Sequence, residues 1–155
     1  MRKGIARNRS VMADPKYKDE LLTRFVNNLM LDGKKSTAFK ITYGALNIVE
    51  EKLGENGLEV FKKALGNIMP SVEVKSRRVG GATFQIPTQV SEKRKLSVGM
   101  KWLVLYSRQR SGRTMTEKLA NEILDAYKEE GGAVKKKNDT HRMAEANKAF
   151  SHFRF

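Results

Sequence analysis

The chain has no cysteine among its 155 residues. That absence excludes disulfides, thiolate nucleophiles and Cys-ligated zinc, and it suits a reducing compartment. Histidine is nearly missing too: His141 and His152 are the only 2, which leaves little for a His-rich metal centre. Long apolar runs are absent. The longest, residues 102–106, is far too short to span a bilayer. Residues 1–18 lack the apolar segment of a secretory leader, so no targeting peptide is expected. Acid is scarce, with 17 Asp and Glu against 31 Lys and Arg and a formal net charge of +14. Such an excess says little about fold but much about partner, and it points to a polyanion. The membrane reading is weak without a span, which leaves nucleic acid.

Catalytic patterns are also wanting. No GxSxG, HExxH, Ser/His/Asp spacing or carboxylate pair occurs, and each of those chemistries needs its groups at a set spacing. The Gly33-Lys34-Lys35-Ser36-Thr37 segment has the tail of a phosphate-binding loop, but Asn28 stands where the upstream glycine belongs and the preceding segment reads as helix. Gly54-Glu55-Asn56-Gly57 has the spacing of a GXXG clamp, yet Glu55 would repel the phosphates that such a loop holds. A turn is the simpler account of both. His141 has no partner at ligand spacing, so a surface or RNA-facing role is expected. No enzyme, cofactor, metal or small-molecule substrate is expected.

Strand signal is confined to residues 72–90. There, Gly80-Gly81 separates two runs rich in β-branched residues, the signature of a tight hairpin whose two turn residues need positive φ. The register that follows pairs Val79 with Ala82, Arg77 with Phe84, Lys75 with Ile86 and Val74 with Pro87. It puts Pro87 at a non-hydrogen-bonded site, where its missing N–H is no loss. Lys75 and Arg77 then share a face with Phe84 and Ile86, while Arg78 shares the other with Val74, Ser76, Thr83 and Gln85. Neither face is cleanly apolar, and a lone ribbon is marginal in water. An arm projecting from a helical body onto an anionic surface is expected.

The rest reads as helix. Apolar residues at helical spacing place the first helix over 19–31, capped by Asp19, with Leu22, Phe25, Val26, Leu29 and Met30 inward. A second covers 36–52, with Ala38, Ile41, Ala45, Ile48 and Val49 inward and Gly44 reserved for close packing. A third covers 58–69, buries Leu58, Phe61, Leu65 and Ile68, and is stopped by Pro70. The fourth runs over 91–110 around Leu96, Met100, Leu103 and Val104, weakened at Gly99, with Trp102 as an anchor on a second face. Thr114 and Glu117 have capping-box spacing for the fifth, which ends at Gly131-Gly132. A sixth, very basic helix covers 133–149. The fold class is mainly α: a single domain over 1–155, a bundle of about six helices with one protruding two-stranded antiparallel ribbon. A basic arm over 1–18, disordered alone, and a basic C-terminal helix and tail over 133–155 complete it. Cations gather at these limbs, and acids collect at 50–51, 55, 59 and 129–130. Such segregation of sign predicts a cationic face.

Three stretches carry a family likeness. They are 32–38 (Asp-Gly-Lys-Lys-Ser-Thr-Ala), 72–81 (Val-Glu-Val-Lys-Ser-Arg-Arg-Val-Gly-Gly) and 141–150 (His-Arg-Met-Ala-Glu-Ala-Asn-Lys-Ala-Phe), with Asp14-Pro15-Lys16-Tyr17 alongside. Together they resemble bacterial-type small-subunit ribosomal protein seven, essentially end to end. The resemblance implies a cytoplasmic constituent of the small ribosomal subunit that acts in translation. It implies binding to the 3′ major domain of small-subunit rRNA and nucleation of head assembly. It also implies a ribbon and C-terminal helix near the exit-site tRNA and the mRNA path, and ribosomal proteins nine and eleven as neighbours. The phosphate contacts are expected at Arg2, Lys3, Arg7, Arg9, Lys34, Lys35, Lys75, Arg77, Arg78, Lys93, Arg94, Lys95, Arg108, Arg110, Arg113, Arg142 and Lys148. The ribbon tip nearest tRNA and mRNA is Arg78, Val79, Gly80, Gly81 and Ala82. Three rivals are weaker: an architectural DNA binder, which would want an apolar wedge at the tip; an RNA-modifying enzyme, which would want a cofactor pocket; and a protein adaptor, for which the charge is excessive.

Overall fold

A computed structural model describes Gly4 and residues 10–153, without the side chains of Val79 and Phe153. Among the described residues it contains six α-helices, one two-stranded sheet and a closing 3₁₀ helix. The helices are α1 (Glu20–Leu29), α2 (Lys35–Leu53), α3 (Gly57–Ile68), α4 (Glu92–Gln109), α5 (Met115–Tyr127) and α6 (Gly131–Ala146); the strands are β1 (Val72–Val79) and β2 (Ala82–Gln89), and the 3₁₀ helix is Lys148–Phe153. The mainly α architecture with a ribbon is the one expected from sequence.

Local chemistry sets the ends. Asp19 caps α1 by accepting from the Leu21 and Leu22 amides at 2.8 and 3.1 Å, which satisfies donors that a helix leaves free at its start. Thr114 caps α5 by accepting from the Glu117 amide at 3.3 Å. α2 ends at Gly54, whose φ of +71° is the left-handed conformation that glycine adopts without penalty. One cluster of buried residues draws on all six helices, and Phe25 meets Phe61 edge-on with ring centroids 5.0 Å apart. Leu46, Val60, Ala64 and Ala120 complete that core, whereas Ile41, Ile48, Leu58, Leu96, Met115 and Tyr127 lie only partly within it. Trp102 is another partly buried neighbour of this core.

Gly44 and Gly99 are helical glycines whose bare Cα lets a neighbour pack close. A Cβ on Gly44 would come within 2.8 Å of Thr116 Cγ2, and one on Gly99 within 3.0 Å of Met69 Cγ and 3.3 Å of Leu65 Cδ1. Gly99 is therefore a contact point between α4 and the end of α3 rather than a weak spot. The C-terminal boundaries differ from expectation. α5 ends four residues before Gly131, and Gly131, at φ +90°, opens α6 instead of ending its predecessor. The predicted end of α6 is instead the 3₁₀ helix, past Asn147.

The basic N-terminal limb also ends earlier than expected. Asp14 is 1% exposed. Its carboxylate accepts from the Lys16 and Tyr17 amides at 3.0 and 2.8 Å and from the Tyr43 hydroxyl on α2 at 2.7 Å. A buried carboxylate needs such donors, so residues 14–18 belong to the body. Tyr43→Phe should therefore destabilise the fold by about 1–3 kcal/mol, the penalty for depriving a buried acceptor of a donor. Urea unfolding reads it directly. Burial, with the hydrogen bond to Asp14, pushes the Tyr43 hydroxyl from 10.0 up to about 12. The neutral form is favoured in the fold, so this contribution is complete below pH 10 and is lost as pH rises toward 12. Tyr43→Phe should lack that alkaline loss.

Candidate nucleic-acid interface

The ribbon has the register expected from its sequence: Val79 opposite Ala82, Arg77 opposite Phe84, Lys75 opposite Ile86 and Val74 opposite Pro87. Gly80 and Gly81 turn it with φ of +56° and +90°. The outer part, with Arg78, Gly80, Gly81, Ala82 and Thr83, is exposed. The inner part is not free-standing. Ile86 is 4% exposed, and the Phe84 ring lies 5.2 Å from that of Phe150 in the 3₁₀ helix. α6 flanks both strands. The arm is thus clasped by the C-terminal segment as far out as Phe84, the third pair from the turn, and only the last pairs and the turn itself are exposed.

Two polar links fix the base. Glu73 receives the Arg94 guanidinium, with Nε 2.8 Å from each carboxylate oxygen, and Lys75 at 3.5 Å. The hydrogen bond from Arg94 holds the Glu73 carboxyl below its usual range. On the other side, the Ser71 amide donates to His141 Nε2 at 3.0 Å. That nitrogen must be bare to accept, so the ring is neutral with its proton on Nδ1. Burial, and then the charge of Lys137, lower the His141 pKa from 6.5. The link therefore contributes fully above pH 6.5 and is lost as pH falls through the depressed folded value. The protection of the Ser71 amide, its exchange rate by NMR relative to an unprotected amide at the same pH, should fall over that acid range, and in a His141→Ala chain that protection should not vary with pH.

The other cations divide into groups. Arg2, Lys3, Arg7 and Arg9 lie outside the described residues. Lys34 and Lys35 follow a turn in which Asp32 and Gly33 have φ of +53° and +72°, and Lys34 lines a groove with Arg108. Lys35 Nζ stands 5.7 Å from the Phe39 ring. Lys93 shares a cleft between α1 and α4 with Arg24, Asn27 and Asn28. Those three, one helical turn apart on α1, were not anticipated from sequence, since charge runs alone do not mark them. Arg78, Arg113 and Lys148 are exposed. Lys148 sits beside Val72, Pro87 and His141 at the ribbon base.

Several cations are engaged within the fold. Lys95 pairs with Glu92 at 2.6 Å. Arg77 is half-buried. Arg142 lines a cleft together with Glu129, Glu130 and Asp139, so there the two signs mix rather than segregate. Arg110 is bound to Glu122 and Asp125 on α5, and an anion would have to compete with both. Among the described residues, no group of three His, Asp or Glu could hold a metal ion, and no helix is long and apolar enough to cross a membrane. The arrangement offers exposed cations on the arm and at its base and others at the opposite end of α4, which can hold phosphates and order them relative to one another.

Comparison with known proteins gives this surface a context. The family model described as Ribosomal protein S7p/S5e matches residues 1–148. The small ribosomal subunit protein uS7 of Cytophaga hutchinsonii is 61% identical over 155 residues, covering 100% of both chains. Its counterpart in Flavobacterium psychrophilum is 61% identical over 158 residues, again covering 100% of both, and that of Acetivibrio thermocellus is 56% identical over 154 residues, covering 99% of each.

Proposed function

Since this chain belongs to the ribosomal protein S7p/S5e family, we propose that its cationic limbs seat it directly on the 3′ major domain of small-subunit rRNA, where it nucleates assembly of the subunit head. The coarser role follows from the family: it is a non-enzymatic, structural constituent of the small ribosomal subunit and takes part in translation. Residues 1–155 act as one RNA-binding domain in the cytoplasmic ribosome. The exposed ribbon tip, Arg78 to Ala82, and α6 face the exit-site tRNA and the mRNA path, and ribosomal proteins nine and eleven are its neighbours.

One observation carries the RNA reading: a ribbon held rigidly at its base presents an exposed, glycine-turned, cationic tip. A rigid arm and separate basic loops can grip phosphates of several RNA helices at once. That fixes the angles of a junction and reduces the entropy later proteins must remove. Contacts fall mainly on phosphates, 2′-hydroxyls and unpaired bases, because the major groove of an RNA helix is deep and narrow. The phosphate set is the one read from sequence without Arg110, whose guanidinium is committed to α5.

Competition binding tests this reading. A fragment spanning the rRNA 3′ major domain should bind tightly, resist displacement by duplex DNA, and lose about 10³–10⁵ in affinity between 50 and 200 mM salt if 6–10 phosphates are held. Equal competition by duplex DNA, or a flat salt response, would contradict it.

A further inference from the structure

Beside the turn between α1 and α2 lies a groove of about 430 Å³, within the range of about 300–1,000 Å³ typical of small-ligand sites. Its floor is apolar, from Leu29, Ala38, Ile41 and Met115, and its rim carries Asp32, Lys34 and Arg108. Arg108 Nη2 donates to the Leu29 carbonyl at 3.1 Å. That single bond fixes a guanidinium at the rim with most of its five donors unused. Asp32 has no hydrogen bond or ion pair to its side chain among the described residues. It stands at φ +53°, a conformation uncommon outside glycine.

These features make different demands. A phosphate alone needs the cations but is repelled by Asp32 and has no use for an apolar floor. An aliphatic side chain needs the floor but not the charges. An unpaired nucleotide uses all three. Single-stranded RNA is recognised through bases splayed out of the stack and bonded along their pairing edges. Guanine alone among the four presents two adjacent N–H donors on that edge, and a carboxylate accepts two such bonds side by side.

We propose that this groove receives an extruded guanine of the rRNA, with its face on Leu29, Ala38 and Ile41, its N1–H and N2–H on the Asp32 carboxylate, and its phosphate on Lys34 and Arg108. The site rests on the RNA-binding reading above and adds a base-specific contact to it.

The test uses the full chain on naked small-subunit rRNA, probed with hydroxyl radical for the backbone and kethoxal for guanine. One guanine protected by the unaltered chain should regain free-RNA reactivity with Thr37→Trp, which fills the groove from its edge, while backbone protection elsewhere is unchanged. Replacing that guanine by adenine should weaken binding about 5- to 150-fold, the span of one bidentate base contact. Asp32→Asn, on an exposed turn and tolerant of positive φ, should abolish most of that difference. It also keeps the test decisive if the tryptophan disturbs folding. A normal backbone footprint in which no guanine distinguishes the unaltered chain from either variant overturns the site. Absence of any backbone footprint removes the RNA-binding reading, and this site with it.

Discussion

Arg110→Ala should destabilise the protein by about 3–5 kcal/mol, the range for removing one partner of a buried ion pair. Arg110 follows the last residue of α4, and its guanidinium binds Glu122 and Asp125 on α5. Glu122 is 1% exposed, and its second oxygen accepts from the Ala133 amide at the start of α6 at 2.9 Å. One side chain therefore ties three helices together through a carboxylate that has no access to water. Without the guanidinium that charge is left buried beside a single neutral donor. Urea unfolding of Arg110→Ala should show the loss, and Glu122→Gln in the same background should recover part of it by removing the stranded charge. If Arg110 instead served RNA, its removal would leave stability within about 0.5 kcal/mol, as for an ordinary surface change.

The second large effect concerns affinity. Arg78, Lys93, Arg113 and Lys148 are exposed and lack ion pairs among the described residues. Replacing all four by glutamine should lower the slope of log affinity against log salt by roughly four, since each phosphate contact contributes about one. The fold should be unaffected, because none of the four supports the core. Lys95, paired with Glu92 at 2.6 Å, should contribute less than any of them. A variant whose affinity drops with no change in slope would show that these residues act through something other than phosphate.

The ribbon was legible because its information is local. Two glycines between β-branched runs specify the turn, the turn specifies the register, and the register places every side chain. The caps at Asp19 and Thr114 were legible for the same reason: the side chain and the amides it bonds lie within three residues. What escaped depends on partners distant in sequence. Arg110 looks like one more cation in a basic run until α5 brings Glu122 beside it. His141 looks like a surface histidine until the chain places the Ser71 amide 3.0 Å from its ring. Asp14 looks like a lone acid in a basic arm until Tyr43 supplies a hydroxyl from α2. Gly99 looks like a helix fault until Met69 and Leu65 are seen to fill the space of its missing Cβ. The same holds for the groove beside Lys34, which is assembled from four helices and visible in none of them singly.

The segregation of charge was legible only in part. Acids do collect away from the ribbon tip, yet Glu73 lies within β1 and anchors Arg94. Within the ribbon itself one acid has a mechanical task, and Arg94 helps to hold the base of the arm. Glu73→Gln would free Arg94 and Lys75 for phosphate while loosening the base of the arm, and the sign of its net effect on binding shows which contribution is larger.

Hydroxyl-radical footprinting of the full chain on naked small-subunit rRNA tests the account most directly. The expected result is a compact set of protections around one multi-helix junction of the 3′ major domain, from which the contacts nearest the ribbon disappear when Arg78 is replaced. Protections scattered along the RNA, or concentrated in another domain and indifferent to Arg78, would contradict it.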